Sequence, residues 1–219
     1  MAPPVETLGL ADAPKNSNIR FFKPTDKKVP VEVTATGPRA ISLAARHVDR
    51  IMFALGADPE RVKWGIEEAR RARREAGLNP NDVKFGIHLN VVCHPDLDIA
   101  RQLVNSWALN VFARFSMTDS KLAGSTANRE EVLSGLHRSS SLLGNDSGGR
   151  LPVGFIDQCA IVGPPETCID RIRELAKLGI EKVVVVGPGD NLITVEEGST
   201  DGSRASQLIT KEVLPAFTG

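Results

Sequence analysis

Two rhythms of apolar residues alternate along the chain. One is a short unbroken run, and the other is a longer stretch with apolar positions three and four apart. The runs fall at about 29–35, 50–55, 83–93 and 182–186. The last is the clearest, because Val183, Val184, Val185 and Val186 leave no polar face. Strands without polar alternation are typically buried on both sides, as in a parallel sheet. The runs end at turn formers: Gly37-Pro38, Gly56, His94-Pro95 and Gly187-Pro188-Gly189.

The spaced stretches predict helices. The first starts after Pro38, with Ile41, Ala44, Ala45 and Val48 inward. Asp58-Pro59-Glu60 is an N-cap with proline behind it, opening a second helix to about Ala76 that stops at Gly77. Val62, Ile66, Ala69, Arg73 and Ala76 share one face of it, with Arg73 at the rim. A third helix follows His94-Pro95-Asp96, its stripe running from Ile99 through Trp107 and Phe115 to about Met117. Asp157 to Val162 reads as a short apolar piece. Gly163-Pro164-Pro165-Glu166 then opens a helix with Ile169, Ile172, Leu175 and Ala176 inward, ended by Gly179. A final helix is expected from roughly 203 to 217, with Leu208, Ile209, Val213 and Leu214 inward.

Strands alternating with helices four times mean βαβ units, right-handed crossovers and an α/β fold on a parallel sheet. An open doubly wound sheet and a (β/α) barrel both satisfy that pattern. In either, ligands gather at the C-terminal ends of the strands. Those ends are Ala35–Pro38, Leu55–Asp58, Val92–Pro95 and Val186–Asp190. Residues 1–27, with four prolines and little periodicity, read as an irregular lead-in to a domain spanning 28–219. Residues 118–152, rich in Ser, Gly, Asn and Arg, read as a loop-rich excursion from it.

Composition narrows the partners. Lys plus Arg and Asp plus Glu both number 27, so the surplus of positive charge that nucleic acid and acidic membranes reward is missing. The one dense basic run, Arg70-Arg71-Ala72-Arg73-Arg74, has Glu67, Glu68 and Glu75 beside it and reads as an ion-paired surface. No apolar run reaches the roughly 18 residues that span a bilayer. The N-terminus lacks the charged and apolar segments of a signal peptide. Three widely spaced cysteines, Cys93, Cys159 and Cys168, match neither a disulfide framework nor a paired zinc site. The expectation is a reduced, cytoplasmic, soluble protein.

Thr36-Gly37-Pro38 sets backbone amides and a hydroxyl at a strand end facing a helix N-terminus. That geometry receives a phosphate or a flat ring. Gly187-Pro188-Gly189 is a second such turn. Neither a GxGxxG nor a GxxxxGK[ST] signature occurs, which argues against the familiar dinucleotide and NTP sites. His94, at a strand end beside Cys93, is placed to touch a ligand, whereas His47, His88 and His137 read as structural or solvent-facing. No HExxH or paired-ligand spacing points to a metal. The strand ends show no evident acid–base pair.

Taken in order, these stretches resemble luciferase-like oxidoreductases. Val29 to Ala40, then Asp49-Arg50-Ile51, is similar to the family's fifth strand, fifth helix and sixth strand. Gly56-Ala57-Asp58-Pro59-Glu60-Arg61 resembles the next loop and helix start. Ala160 to Ile180 resembles the last helix, and Glu212-Val213-Leu214-Pro215 the usual ending. The nearest branch is the deazaflavin (F420)-dependent group that includes methylenetetrahydromethanopterin reductase. The resemblance implies a TIM barrel of which this chain carries the second half, strands five to eight. It implies an oxidoreductase using F420, or alternatively FMN, on a small-molecule substrate by hydride transfer or monooxygenation. Ala35, Thr36, Gly37 and Pro38 would contact the cofactor ring or phosphate. Val92 or Cys93 would lie along its side chain, and Gly187, Pro188 and Gly189 would approach its phosphate end. The catalytic residues would belong to strands one to four. Glu32 and Arg50 depart from the family pattern, standing where an aromatic or apolar residue and a glycine are usual. Half a barrel implies self-association or pairing with a chain carrying strands one to four. The alternative reading is a non-catalytic half-barrel that binds a phosphorylated ligand or a partner subunit.

Overall fold

A computed structural model of the chain describes residues 29–104, 109, 151–187 and 200–217. The chain divides into two units, Met1–Pro30 and Val31–Gly219. In the first, Val29 and Pro30 are exposed and have no regular structure. The expected lead-in at 1–27 and nearly all of the excursion at 118–152 lie outside the described residues.

The second unit runs β1 (Glu32–Ala35), α1 (Pro38–His47), β2 (Arg50–Phe53), α2 (Pro59–Glu75), β3 (Lys84–Cys93) and α3 (Leu97–Val104). After the excursion come α4 (Val153–Cys159), β4 (Ile161–Gly163), α5 (Pro165–Lys177), β5 (Ile180–Val186) and α6 (Thr200–Leu208). The chain continues as a π-helical turn, Ile209–Val213, and a 3-10 turn, Leu214–Phe217. All ladders are parallel. β1 pairs with β2, and β2 with the first half of β3. β5 also pairs with β3 over Phe85–Asn90, so it must occupy the edge of β3 opposite β2. The main sheet is therefore β1-β2-β3-β5, with short β4 added against Val91–Cys93. Among the described residues β1 and β5 each have a single strand neighbour. This is an α/β parallel sheet of TIM-barrel type, covering part of the barrel.

Side-chain parity sorts the strands into two faces. Odd positions such as Ile51, Phe53, Phe85, Ile87, Leu89 and Val91 are buried in one core with Ile41 of α1, Val62 and Ile66 of α2, and Ile172 and Leu175 of α5. The Phe53 and Phe85 rings stack there, their centroids 5.5 Å apart. Even positions line the other face, which is concave. Lys182 Nζ on β5 donates to Glu32 Oε2 on β1 at 2.7 Å, although two strands lie between them. Thr34 Oγ1 and His88 Nε2 lie 3.4 Å apart across β2. In a flat sheet strands three places apart are about 14 Å distant, so the sheet is curled. Near the end of β3 a second apolar cluster roofs this face, where Val92 is buried with Ala100 and Val104 of α3, Phe155 and Ile156 of α4, and Ala205 of α6.

Local chemistry explains the boundaries. Proline opens α1, α2 and α5. Asp58 caps α2, its carboxylate accepting from the Glu60 N–H at 3.0 Å. Gly77 follows α2 with φ +69°, the left-handed conformation that glycine adopts without strain. Four strands expected at 29–35, 50–55, 83–93 and 182–186 are present, each end within three residues of the expectation.

Three expectations need correction. Asp157 to Val162 is not one piece. A helix ends at Cys159, and a three-residue strand starts at Ile161. Arg73 is not a rim residue but buried, its guanidinium donating to the Asn79 and Ala45 carbonyls and so holding α1, α2 and the following turn together. Of the residues expected inward, Ala176 and Leu214 are exposed, and the final helix changes pitch at Ile209. The π-helical turn keeps both Ile209 and Val213 in the core.

Gly65 marks the closest packing of α2 on the sheet. A Cβ there would sit 2.5 Å from Leu55 Cδ1 and 3.2 Å from Phe53 Cε1, both fully buried side chains. Gly65→Ala should therefore lower stability by about 1–3 kcal/mol, an overpacking cost, read as a shift in the urea midpoint. A variant as stable as the parent would contradict this packing.

Candidate functional site

In a parallel sheet the C-terminal strand ends form one rim, and here β1, β3 and β5 bring the candidate residues to it. Ala35 ends β1 with its methyl in the helix-side core and its carbonyl accepting from the Ala54 N–H at 3.1 Å. Thr36, Gly37 and Pro38 follow, all partly exposed. Gly37 occupies the N-cap position of α1, with no side-chain cap bond and no acid in the first turn. The first amides of α1 therefore face outward with the positive end of the helix dipole behind them. A Cβ built on Gly37 meets nothing within 4 Å, so there is open space against this turn. Its backbone is extended (φ −97°), which any residue adopts, so the glycine is not required by conformation.

Gly187 directly follows β5 and lies beside β3. A Cβ on it would lie 3.9 Å from the Val91 carbonyl and 3.7 Å from Ile209 Cδ1. Pro188 and Gly189 lie outside the described residues. Cys93 ends β3 six positions beyond Ile87, which shares a ladder row with Phe53 and Ala35. Its side chain falls on the odd face, fully buried in the helix-side core. A hydrogen bond with Cys168 lowers the Cys93 thiol pKa and raises that of Cys168. Cys168 Sγ also lies 3.5 Å from the Gly163 carbonyl. Of the pair Val92 and Cys93, only Val92 faces the concave side.

His94 is buried rather than open at the rim. Its Nδ1 accepts from the Asp96 N–H at 3.0 Å, which helps turn the chain into α3. The ring's other nitrogen is 3.8 Å from Asp201 on α6. His47 is exposed, and His137 lies outside the described residues.

A polar knot anchors the rim. Arg171 of α5 donates to the carbonyls of Asp157, Ala160 and Ala57 at 2.7, 2.8 and 3.1 Å. It thereby satisfies the last carbonyls of α4, which have no partner inside the helix, and ties them to the loop after β2. Arg101 of α3 holds Asp157 by a two-point ion pair, and Gln158 donates to Asp58 at 2.8 Å. Cys159 lies buried within the knot, and burial pushes its thiol up to about 12.

Below the rim, Glu32 sits between Arg50 and Lys182. Glu181 stands 3.7 Å from both Arg50 and Lys84. The Lys182 hydrogen bond, then that of Arg50, holds the Glu32 carboxyl below its ordinary value. Burial, and next the charge of Lys182, lowers the pKa of His88, whose ring lies beside Thr34. Sequence reasoning treated Glu32 and Arg50 only as departures from a pattern. Their even parity was the signal that places them on the concave face. Parity does not reveal that Lys182 crosses that face to reach Glu32.

The luciferase-like monooxygenase family matches residues 12–182. A curated relative, the 5,10-methylenetetrahydromethanopterin reductase of Methanopyrus kandleri, is 23% identical over 216 residues, which are 95% of this chain and 55% of the relative. The solved structure of the coenzyme F420-dependent tetrahydromethanopterin reductase of the same organism superposes with a TM-score of 0.60 at 21% identity, covering 86% of this chain and 51% of the other. An F420-dependent secondary alcohol dehydrogenase, solved with an F420–acetone adduct, gives 0.58 at 21%, covering 87% and 49%. An FMN complex of a Pseudomonas putida type II Baeyer–Villiger monooxygenase gives 0.50 at 19%, covering 85% and 48%. The chain spans about half the length of the relatives it matches.

The Glu32 network sets an acid limit. A depressed carboxylate pKa contributes stability above the unfolded value, near 4.5, and that contribution is lost as pH falls through the folded value. The urea midpoint of the parent should thus fall more steeply between about pH 5 and about pH 3 than that of Glu32→Gln. Parallel curves for the two proteins would show that Glu32 is not held by these cations.

Proposed function

The chain belongs to the luciferase-like monooxygenase family, and from that premise we propose that it is the cofactor-holding second half of an F420-dependent oxidoreductase. FMN is the alternative cofactor. The observation that carries this reading is the uncapped N-terminus of α1, standing over open space at Gly37 on a strand-end rim. An anionic or flat ligand group fits there, because free amides favour negative charge and the missing Cβ permits close approach. Thr36, Gly37 and Pro38 would hold the ring or phosphate. Gly187, Pro188 and Gly189 would flank its far end. Cys93, with its thiol in the helix-side core, would contribute through its backbone, and Val92 would supply the neighbouring side chain. Arg171 would hold the wall formed by α4 against the loop after β2.

F420 is preferred over FMN because the two superpositions with the higher TM-scores are to proteins described as F420-dependent. When bound, either cofactor supplies a ring that exchanges hydride equivalents with a small-molecule substrate. The residues of this chain bind and orient it. The polar groups beside the reacting atoms would come from strands one to four of the family's barrel. Three free buried thiols suit a reducing, cytoplasmic setting, and no described helix is long and apolar enough to cross a membrane.

A second reading, a half-barrel that binds a phosphorylated ligand without turnover, is favoured by one observation. Among the described rim residues Asp58 and His94 are engaged in caps and turns rather than presented as an acid and a base.

Fluorescence titration with F420 and with FMN, followed by a hydride-transfer assay, separates the readings. Binding with turnover supports the first, and binding alone supports the second. Gly37→Val should weaken cofactor binding about tenfold, roughly 1.4 kcal/mol, with only a small loss of melting temperature from the poorer N-cap, since the backbone there is extended and the added methyls enter open space. Affinity for neither cofactor, or a Gly37→Val variant that binds like the parent, would contradict the proposed site.

A further inference from the structure

We propose that Cys93 and Cys168 form a reversible disulfide under oxidising conditions, a modification site that ties the end of β3 to the start of α5. The proposal is independent of the cofactor reading and of what completes the barrel, because it uses only the packing of β3, β4 and α5.

Those three elements bring the two sulfurs together. Cys93 ends β3 and is the ladder partner of Gly163, which ends β4. The His94 N–H closes that end by donating to the Gly163 carbonyl at 2.9 Å. Gly163, with φ +134°, then turns the chain into α5, whose fourth residue is Cys168. Both cysteine side chains are fully buried in the helix-side core. Cys168 Sγ is 3.5 Å from the same Gly163 carbonyl, and its one proton can turn instead to the Cys93 sulfur. A disulfide draws its sulfurs to about 2.05 Å, a short approach for thiols already hydrogen-bonded to one another.

Cys159 supplies the contrast. It is as deeply buried, but it sits among Arg61, Asp58 and Arg171 rather than beside a second thiol, and burial raises it to about 12. The hydrogen bond with Cys168 instead lowers the Cys93 pKa, which favours Cys93 as the attacking sulfur. The oxidant is a small hydroperoxide. The Cys93 thiolate attacks its distal oxygen, the O–O bond breaks, and the proton given up by the thiol leaves in water. The Cys168 sulfur then attacks the Cys93 sulfenic sulfur, the S–O bond breaks, and the Cys168 proton leaves in a second water. The two thiols together give up two electrons, and one hydrogen peroxide becomes two waters. A small thiol reverses the link by thiol–disulfide exchange. Both cysteines lie near element ends, where local opening is easiest, so peroxide enters without global unfolding.

The full chain, reduced and then treated with hydrogen peroxide in native buffer, should fall in mass by two hydrogens. Non-reducing digestion should give one peptide pair joining Cys93 to Cys168, while Cys159 is alkylated only after denaturation. Dithiothreitol should restore the parent mass. The oxidised chain should have the higher urea midpoint, because the bridge closes a long loop in the unfolded chain. Cys159→Ser should form the same link. Native oxidation that yields no Cys93–Cys168 peptide, or that joins either residue to Cys159, overturns the proposal. So does a link that forms only in urea, since it then belongs to the unfolded chain.

Discussion

Four parallel strands alternate between a face that helices cover and a face that curls inward, and everything else in the chain depends on that asymmetry. The helix-side face is an apolar core in which Phe53 packs on Phe85 and Gly65 lets α2 approach closely. The inward face is polar at its lower end. There Glu32 joins both outer strands through Lys182, with Arg50 alongside. Exposed ion pairs are individually weak, so this network does not hold the sheet together. It records the curvature that hydrogen-bonded twist and helix packing impose.

Curvature also locates the chemistry. A curled parallel sheet gathers its C-terminal ends into a rim, and the turns that leave it carry free amides toward a common space. On that rim the start of α1 at Gly37 has no side-chain cap and open space beside it. The knot of Arg171, Arg101, Asp157 and Gln158 fixes the adjoining wall by satisfying the end of α4 and the loop after β2 together. The chain belongs to the luciferase-like monooxygenase family and spans about half the length of the relatives it matches. In the proposed reading the chain holds a cofactor at this turn, and the groups beside the reacting atoms come from the remaining part of the relatives' length.

The alternation of apolar runs and helical stripes made the parallel α/β plan and four of the five strands legible. Turn chemistry did the same for helix starts at Pro38, Pro59 and Pro165 and for the stop at Gly77. The pieces that escaped are those decided by tertiary contacts. Asp157–Val162 contains too few residues for a period to separate a helical turn from a strand, and the break at Ala160 is set by Arg171, eleven positions away. Arg73 shares a face with Val62 and Ile66, but its burial depends on the carbonyls of Ala45 and Asn79, which no sequence pattern announces. The Cys93 side chain was readable in principle, because its odd parity along β3 puts it with Val91 and Leu89 in the core. Contacts that skip a strand, such as Thr34 with His88, are legible only once the curl is known.

The most direct measurement of that curl is the pattern of proton–proton NOEs across the inward face. The account predicts contacts between the side chains of Glu32 and Lys182, and between those of Thr34 and His88, in addition to the ladder contacts of β1 with β2 and β3 with β5. Ladder contacts without either of the strand-skipping pairs would mean an open, flat sheet, and would contradict the curled half-barrel on which the proposed site rests.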